Sequence, residues 1–317
     1  MTHRPGIVLL LATLLLGPMS VCAQGQVVLG VPLEPPALDP TSGAAAAVDS
    51  IVYGNVFEGL VRITQSGDVV PGLAESWEVS ADGLVYTFRL RRDVRFHDGS
   101  AFDARDARFS LDRALAPEST NAQKALLDAI ERVDVLDSHT VRLSLSRPSS
   151  SLLYYLGWGD AVIVAEESAT DNGNRPVGTG PFRFGEWRRG VSIRLDRNED
   201  YWGIPAAPDS VVFRIIGDPA AAYAAIRAGD IDAYPNYPAP ENIAEFARNP
   251  DLKVMIGATA GKVIMAMNHR RPPFDDLRVR RAISHAIDRD AIIDGAFFGF
   301  GEPIGSHFSR QDRGSGT

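Results

Sequence analysis

Three stretches of the chain alternate apolar and polar residues with a period of two, and they constrain the fold more than any other feature. In "LVYTFRL" (84–90), Leu84, Tyr86, Phe88 and Leu90 share one face, with Val85, Thr87 and Arg89 on the other. "HTVRLSLS" (139–146) repeats the pattern with Val141, Leu143 and Leu145, and "VSIRLDR" (191–197) with Val191, Ile193 and Leu195. Such alternation suits a strand with one buried face. "VVFRII" (211–216) and "KVIMAMN" (262–268) read as more fully buried strands. Between these lie helices with legible ends. Asp103 can cap a helix, with Asp106 three residues on and Ala107, Leu111, Ala114 and Leu115 forming its apolar face. Asp218 caps another, Pro219 fits its first position and Gly229 its stop. Asp275 or Asp276 opens a third, with Val279, Ala282, Ile283, Ala286 and Ile287 on one side. The chain therefore reads as α/β or α+β, with two domains expected for its 317 residues.

The opening "MTHRPGIVLLLATLLLGPMSVCAQGQ" has the pattern of a secretory leader. Arg4 supplies positive charge, Ile7–Leu16 the apolar core, and Val21-Cys22-Ala23 a cleavage site before Gln24. The apolar core is too short for a bilayer span, which takes about 20 residues. Export to the periplasm as a soluble protein is the expectation. Cys22 is the only cysteine and falls inside the leader, so the exported chain is expected to have no disulfide, cysteine nucleophile or cysteine-held metal. There are 32 basic and 40 acidic residues, a formal net charge of −8. A mild acidic excess spread along the chain argues against nucleic-acid binding, which leaves a basic stripe.

Four stretches resemble, in order and spacing, the family 5 extracellular solute-binding proteins of ABC transporters, the oligopeptide/dipeptide/nickel-binding group. They are "VVPGLAESWEVSADGLVYTFRLRRDVRFHDGSAFDARDARFSLDRAL" (69–115), "PVGTGPFRFGEWRRGVSIRLDRNEDYWG" (176–203), "AAIRAGDIDAY" (224–234) and "MNHRRPPFDDLRVRRAISHAIDRDAII" (267–293). The resemblance implies a class II periplasmic binding-protein fold that captures a solute between two lobes and hands it to inner-membrane permease subunits. Peptides are the solutes it points to, with nickel complexes, haem, opines and sugars as alternatives. It implies a discontinuous first lobe (24–55 with 170–262), a small insert domain (56–169), and the beginning of a second lobe (263–317). A domain commonly has about 100–150 residues, so most of the second lobe is expected to be missing. "SHFSRQDRGSGT" (306–317) carries no apolar period, and the sequence reads as a truncated receptor, impaired in binding or a non-functional remnant.

Most of the shared motifs have structural readings. Asp82-Gly83 signals a hairpin turn. Trp77 and Phe96 read as core anchors. Gly178, Gly180 and Pro181 read as a tight crossover, since no Lys-Ser/Thr follows as in a phosphate loop. His97-Asp98 reads as a solvated turn ahead of the Asp103 cap rather than an acid/base pair. The six histidines, His3, His97, His139, His269, His285 and His307, lack metal-site spacing. No cofactor, no metal and no enzymatic activity are expected, and the protein is expected to be a monomer.

By the same resemblance, nine residues face the solute. Leu33, Glu34 and Pro35 lie in the turn after the first strand. Tyr154, Trp158 and Asp160 lie in "YYLGWGD", Asn236 and Tyr237 in "YPNYP", and Asn268 follows the strand that enters the second lobe. Peptide binders of this kind hold an extended backbone by strand-like hydrogen bonds, with water filling the side-chain pockets.

Overall fold

The structure, a computed structural model, describes residues 25–43, 45–257 and 261–305. The expected leader with Cys22, His3, His307 and the 306–317 tail lie outside the described residues. The strands run β1 (Gln26–Val31), β2 (Val61–Ile63), β3 (Val69–Pro71), β4 (Ala74–Val79), β5 (Val85–Leu90), β6 (Ile130–Asp137), β7 (Thr140–Leu145), β8 (Phe182–Arg188), β9 (Ser192–Arg197) and β10 (Ser210–Ile215). The helices are α1 (Ala46–Val52), α2 (Ala104–Leu115), α3 (Lys124–Leu127), α4 (Leu152–Tyr155), α5 (Pro219–Ala228), α6 (Ile243–Phe246), α7 (Leu277–Ala286) and α8 (Arg289–Phe297). No helix among the described residues is long and apolar enough to cross a membrane.

Two four-stranded sheets organise the chain. One has the order β1-β10-β9-β8, with β1 parallel to β10 and the other pairs antiparallel. The other is antiparallel throughout, in the order β4-β5-β7-β6. The period-two stretches form β5, β7 and β9, and their inward residues Phe88, Leu143 and Leu195 are fully buried. β10 keeps the same alternation and is not buried on both faces, since Arg214 is exposed. The helix caps form as read. Asp103 accepts from Arg105 N while Asp106 caps back onto Asp103 N, and Asp218 accepts from Ala221 N. Gly229 closes α5 at φ 71°, a left-handed position that glycine takes without a Cβ penalty.

Each sheet covers its own core. Phe88, Leu90, Leu111, Leu127 and Leu143 fill one, and Ile51, Phe57, Ile193, Leu195 and Phe213 the other. The segment 161–165, extended from Val162 onward, joins them: Ala161, Ile163 and Ala165 enter the first core, and Val162 and Val164 the second. Period-two geometry thus lets one segment seal both sides of a seam.

A second tie crosses the seam at the glycine-rich turn. A Cβ on Gly178 would overlap the Val56 carbonyl oxygen, and one on Gly180 the Asn55 carbonyl oxygen, so two backbones meet there with no room for a side chain. His97 pins this crossover: its Nδ1 accepts from Gly178 N at 3.2 Å and its Nε2 donates to the Gly180 carbonyl at 3.0 Å. This corrects the reading of His97-Asp98 as a solvated turn. Asp98 does stay in the turn, accepting from Ser100, but the imidazole is drawn inward to satisfy two backbone groups. Beside it, the Glu58 carboxylate accepts from Thr179 Oγ1, Tyr201 Oη and Trp202 Nε1 at 2.8–2.9 Å.

"KVIMAMN" forms no strand. Val263 is 80% and Ile264 70% exposed, because no described strand lies beside them to complete a ladder. α7 forms with the expected Asp276 cap and stops at Ile287, where Asp288 caps α8, and no residue of either helix is buried.

Candidate functional site

A cavity of about 420 Å³ opens at the seam between the two cores. Its walls come from Pro40, Gly43 and Ala45, α1, and the Gly157–Asp160 turn that follows α4. The side chains that give it character are Asp49 of α1 and Tyr53 just past its end, together with Trp158, Asp160 and Gln123.

Local chemistry explains why these groups converge. α1 buries Val48, Ile51 and Val52 in the second core, which turns Asp49 and Tyr53 toward the Gly157–Asp160 turn. Tyr53 Oη donates to the Gly157 carbonyl, tying helix and turn together. Gly159 allows the closest approach: a Cβ there would overlap Asp49 Oδ1 and stand 2.7 Å from its Cγ. Trp158 is braced edge-on by Tyr154 and Tyr155, at centroid distances of 5.8 and 5.9 Å. Asn121 Nδ2 donates to the Asp160 carbonyl at 2.7 Å.

The electrostatics of the cavity are one-sided. Burial, reinforced by the charge of Asp160, pushes the Asp49 carboxyl up to about 6. Burial likewise raises Asp160, against the hydrogen bonds it takes from its own backbone and Gln123. Burial and the Asp49 charge raise Tyr53. No lysine, arginine or histidine lines the cavity.

The nine sequence-derived candidates do not gather in one place. Trp158 and Asp160 line this cavity, and Tyr154 stands directly behind Trp158. Glu34 is committed to the fold, its Oε1 accepting from Trp187 Nε1 at 3.0 Å and Gly190 N at 2.9 Å. Leu33 is 66% exposed and Pro35 is buried. Tyr237 packs edge-on against Tyr234 and Phe246, and Asn236 is an exposed turn residue at φ 55°. Asn268 is exposed and caps a local turn through Arg270 N. Asp49 and Tyr53 went unread in the sequence. The available signal was "GWG" (157–159), where glycines on both sides of a tryptophan permit backbone close to another element.

A larger hollow of about 830 Å³ lies along α2, lined by Arg105, Arg108 and Arg113. Each of these arginines is already paired, with Asp103, Asp112 and Asp39 respectively. Among the described residues, no group of three or more His, Cys, Asp or Glu is placed to hold a metal ion.

The family model "Bacterial extracellular solute-binding proteins, family 5 Middle" matches residues 68–315. The chain belongs to the family 5 extracellular solute-binding proteins. This is a family of binding proteins, not of enzymes. The chain is 32% identical over 273 residues to the glutathione-binding protein GsiB of Pectobacterium atrosepticum, covering 84% of this chain and 52% of that one. It is 35% identical over 258 residues to di/tripeptide-binding protein 2 of Pseudomonas aeruginosa, covering 73% and 48%. Among solved structures, the periplasmic binding protein DppA of Helicobacter pylori in complex with peptide STSA superposes with TM-score 0.82 at 28% identity, covering 90% of this chain and 61% of that one. AgaA of A. tumefaciens R10, in complex with agropinic acid, superposes with TM-score 0.77 at 32% identity, covering 88% and 57%. These likenesses place the fold among the periplasmic binding proteins of family 5. The chain spans about half the length of the curated relatives it matches.

Proposed function

We propose that this family 5 protein is a substrate-binding component of an ABC importer, taking up peptides in the periplasm and delivering them to inner-membrane permease subunits. The observation that carries the reading is the seam cavity, where Trp158 and Asp160 meet Tyr53 and Asp49 at the junction of two cores. A cavity of this size with a few convergent polar groups on aromatic walls is the usual form of a small-molecule site. The relatives named for glutathione and for di- and tripeptides supply the solute class. In this reading residues 24–55 with 170–262 act as one lobe and 56–169 as an insert domain. Residues 263–317 begin the facing lobe, and the N-terminal leader directs export of a monomer. The likeness to the agropinic acid complex supports a second reading, in which the solute is an opine.

A thermal-shift titration of the purified chain with pooled di- and tripeptides, glutathione and opines tests this. A ligand that binds only the folded state adds about 2.7 kcal/mol at 100 times its Kd. A saturable rise in Tm with peptides is the expected result. A rise with opines alone replaces peptides by the second reading, and a cooperative melt that no solute moves overturns solute capture by this chain.

A further inference from the structure

We propose that the seam cavity takes a cationic side chain of the solute, the guanidinium or ammonium of an arginine- or lysine-containing peptide. The inference rests on the solute-binding reading and specifies which part of the solute enters this cavity.

Three observations converge on it. First, the cavity holds two carboxylates and no counter-charge: Asp49 comes from α1 and Asp160 from the facing turn, and no cationic side chain lines the walls. Second, Asp49 has no protein partner for its carboxylate among the described residues. Tyr53 Oη is spent on the Gly157 carbonyl, and among the described residues no hydrogen bond ends on the Asp49 carboxylate. A half-buried carboxylate without a partner costs free energy that an incoming donor with positive charge recovers. Third, the aromatic side chains of Tyr53 and Trp158 line the same cavity, and aromatic rings attract cations. Asp160, only 7% exposed, supplies negative potential from below while its carboxylate is held by Gln123.

Other occupants fit less well. An anionic group would meet two like charges. A hard divalent ion wants about six or more oxygen ligands, and two carboxylates on opposite walls fall well short. A neutral apolar side chain would leave Asp49 buried deeper and still unpaired.

Isothermal titration with Ala-Arg and Ala-citrulline gives the test, since citrulline matches arginine in shape without its charge. A charge-assisted hydrogen bond predicts that the chain binds Ala-Arg about tenfold or more tightly than Ala-citrulline. In Asp49→Asn the two affinities should draw together. Equal binding of the two dipeptides by the unaltered chain overturns the inference and leaves solute capture standing, and this comparison needs no variant to fold. A preference for Ala-Arg that survives intact in a folded Asp49→Asn also overturns it. If neither dipeptide binds and no solute of the wider panel raises Tm, solute capture itself falls and the inference with it.

Discussion

Gly159 lies against Asp49 so closely that any β-carbon on it would overlap the carboxylate oxygen Oδ1. The contact sets the depth of the cavity, because it lets the turn carrying Trp158 and Asp160 close down on α1. The atom in the way is the end of a side chain rather than backbone, so the obstacle can move.

Gly159→Ala should therefore displace the Asp49 carboxylate without unfolding the protein. Overpacking that a side chain can relieve costs about 1 kcal/mol, at the lower end of the usual range. Differential scanning fluorimetry should show a small loss of Tm, while the Tm rise produced by bound solute largely disappears. A variant that binds solute as tightly as the parent would show that the close approach of Gly159 to Asp49 has no part in the site.

Gly178 presents the contrasting case. Its would-be β-carbon overlaps the Val56 carbonyl oxygen and stands 2.7 Å from the carbonyl carbon, so relief requires two backbone segments to part. Gly178→Ala should cost about 3 kcal/mol or more, at or above the upper end of the overpacking range. Gly295→Ala, in α8 with nothing within 4 Å, should cost nothing. Urea denaturation of both variants checks the pair. Equal midpoints would mean that the crossover is looser than its geometry.

The elements that were legible in the sequence are those whose cause is local. Asp103 and Asp106 make their capping box within one turn of chain, and Phe88 and Leu143 alternate with their own neighbours. The residues that escaped depend on distant partners. Asp49 reads as the polar side of an amphipathic helix until Gly159, far along the chain, comes down on it. His97 reads as a turn residue until Gly178 and Gly180 supply a donor and an acceptor. Glu34 reads as a residue facing a cleft until Trp187 and Gly190 engage its carboxylate. "KVIMAMN" erred the other way, because an apolar run becomes a buried strand only when something lies beside it. Trp158 and Asp160 were named through the family resemblance rather than from local pattern, and the structure sets both on the wall of the seam cavity.

The His97 tie makes stability depend on acidity. Burial, with a smaller contribution from Arg183, holds the imidazole down to about 4, against the opposing pull of the Gly180 carbonyl and Asp98. Between the ordinary value of 6.5 and about 4, the unfolded chain binds a proton that the folded chain refuses. Stability contributed by the neutral ring is thus complete above 6.5 and lost as pH falls toward 4. A depression of this size corresponds to about 3 kcal/mol at most. Asp49 and Asp106, both raised to about 6 by burial, push the other way in parent and variant alike, so the stability lost by the parent relative to His97→Gln is what should grow as urea midpoints are taken from pH 7.5 to 4.5. Parallel slopes would remove His97 as the origin of the acid sensitivity.

The last two helices should behave unlike the rest of the described chain. α7 and α8 are 10 and 9 residues long, capped by Asp276 and Asp288, and bury no side chain. Helices this short are marginal in water without tertiary packing, since a cap adds only about 1 kcal/mol. Their amides should therefore exchange with solvent orders of magnitude faster than those of β5 and β7, whose residues Phe88, Val141 and Leu143 are wholly buried. Hydrogen–deuterium exchange followed by mass spectrometry would resolve the two classes within one experiment. Protection over residues 277–297 equal to that of β5 would mean that these helices are covered in solution. Repeating the exchange across a range of protein concentrations would then decide the cover, because protection that fades on dilution belongs to a second copy of the chain.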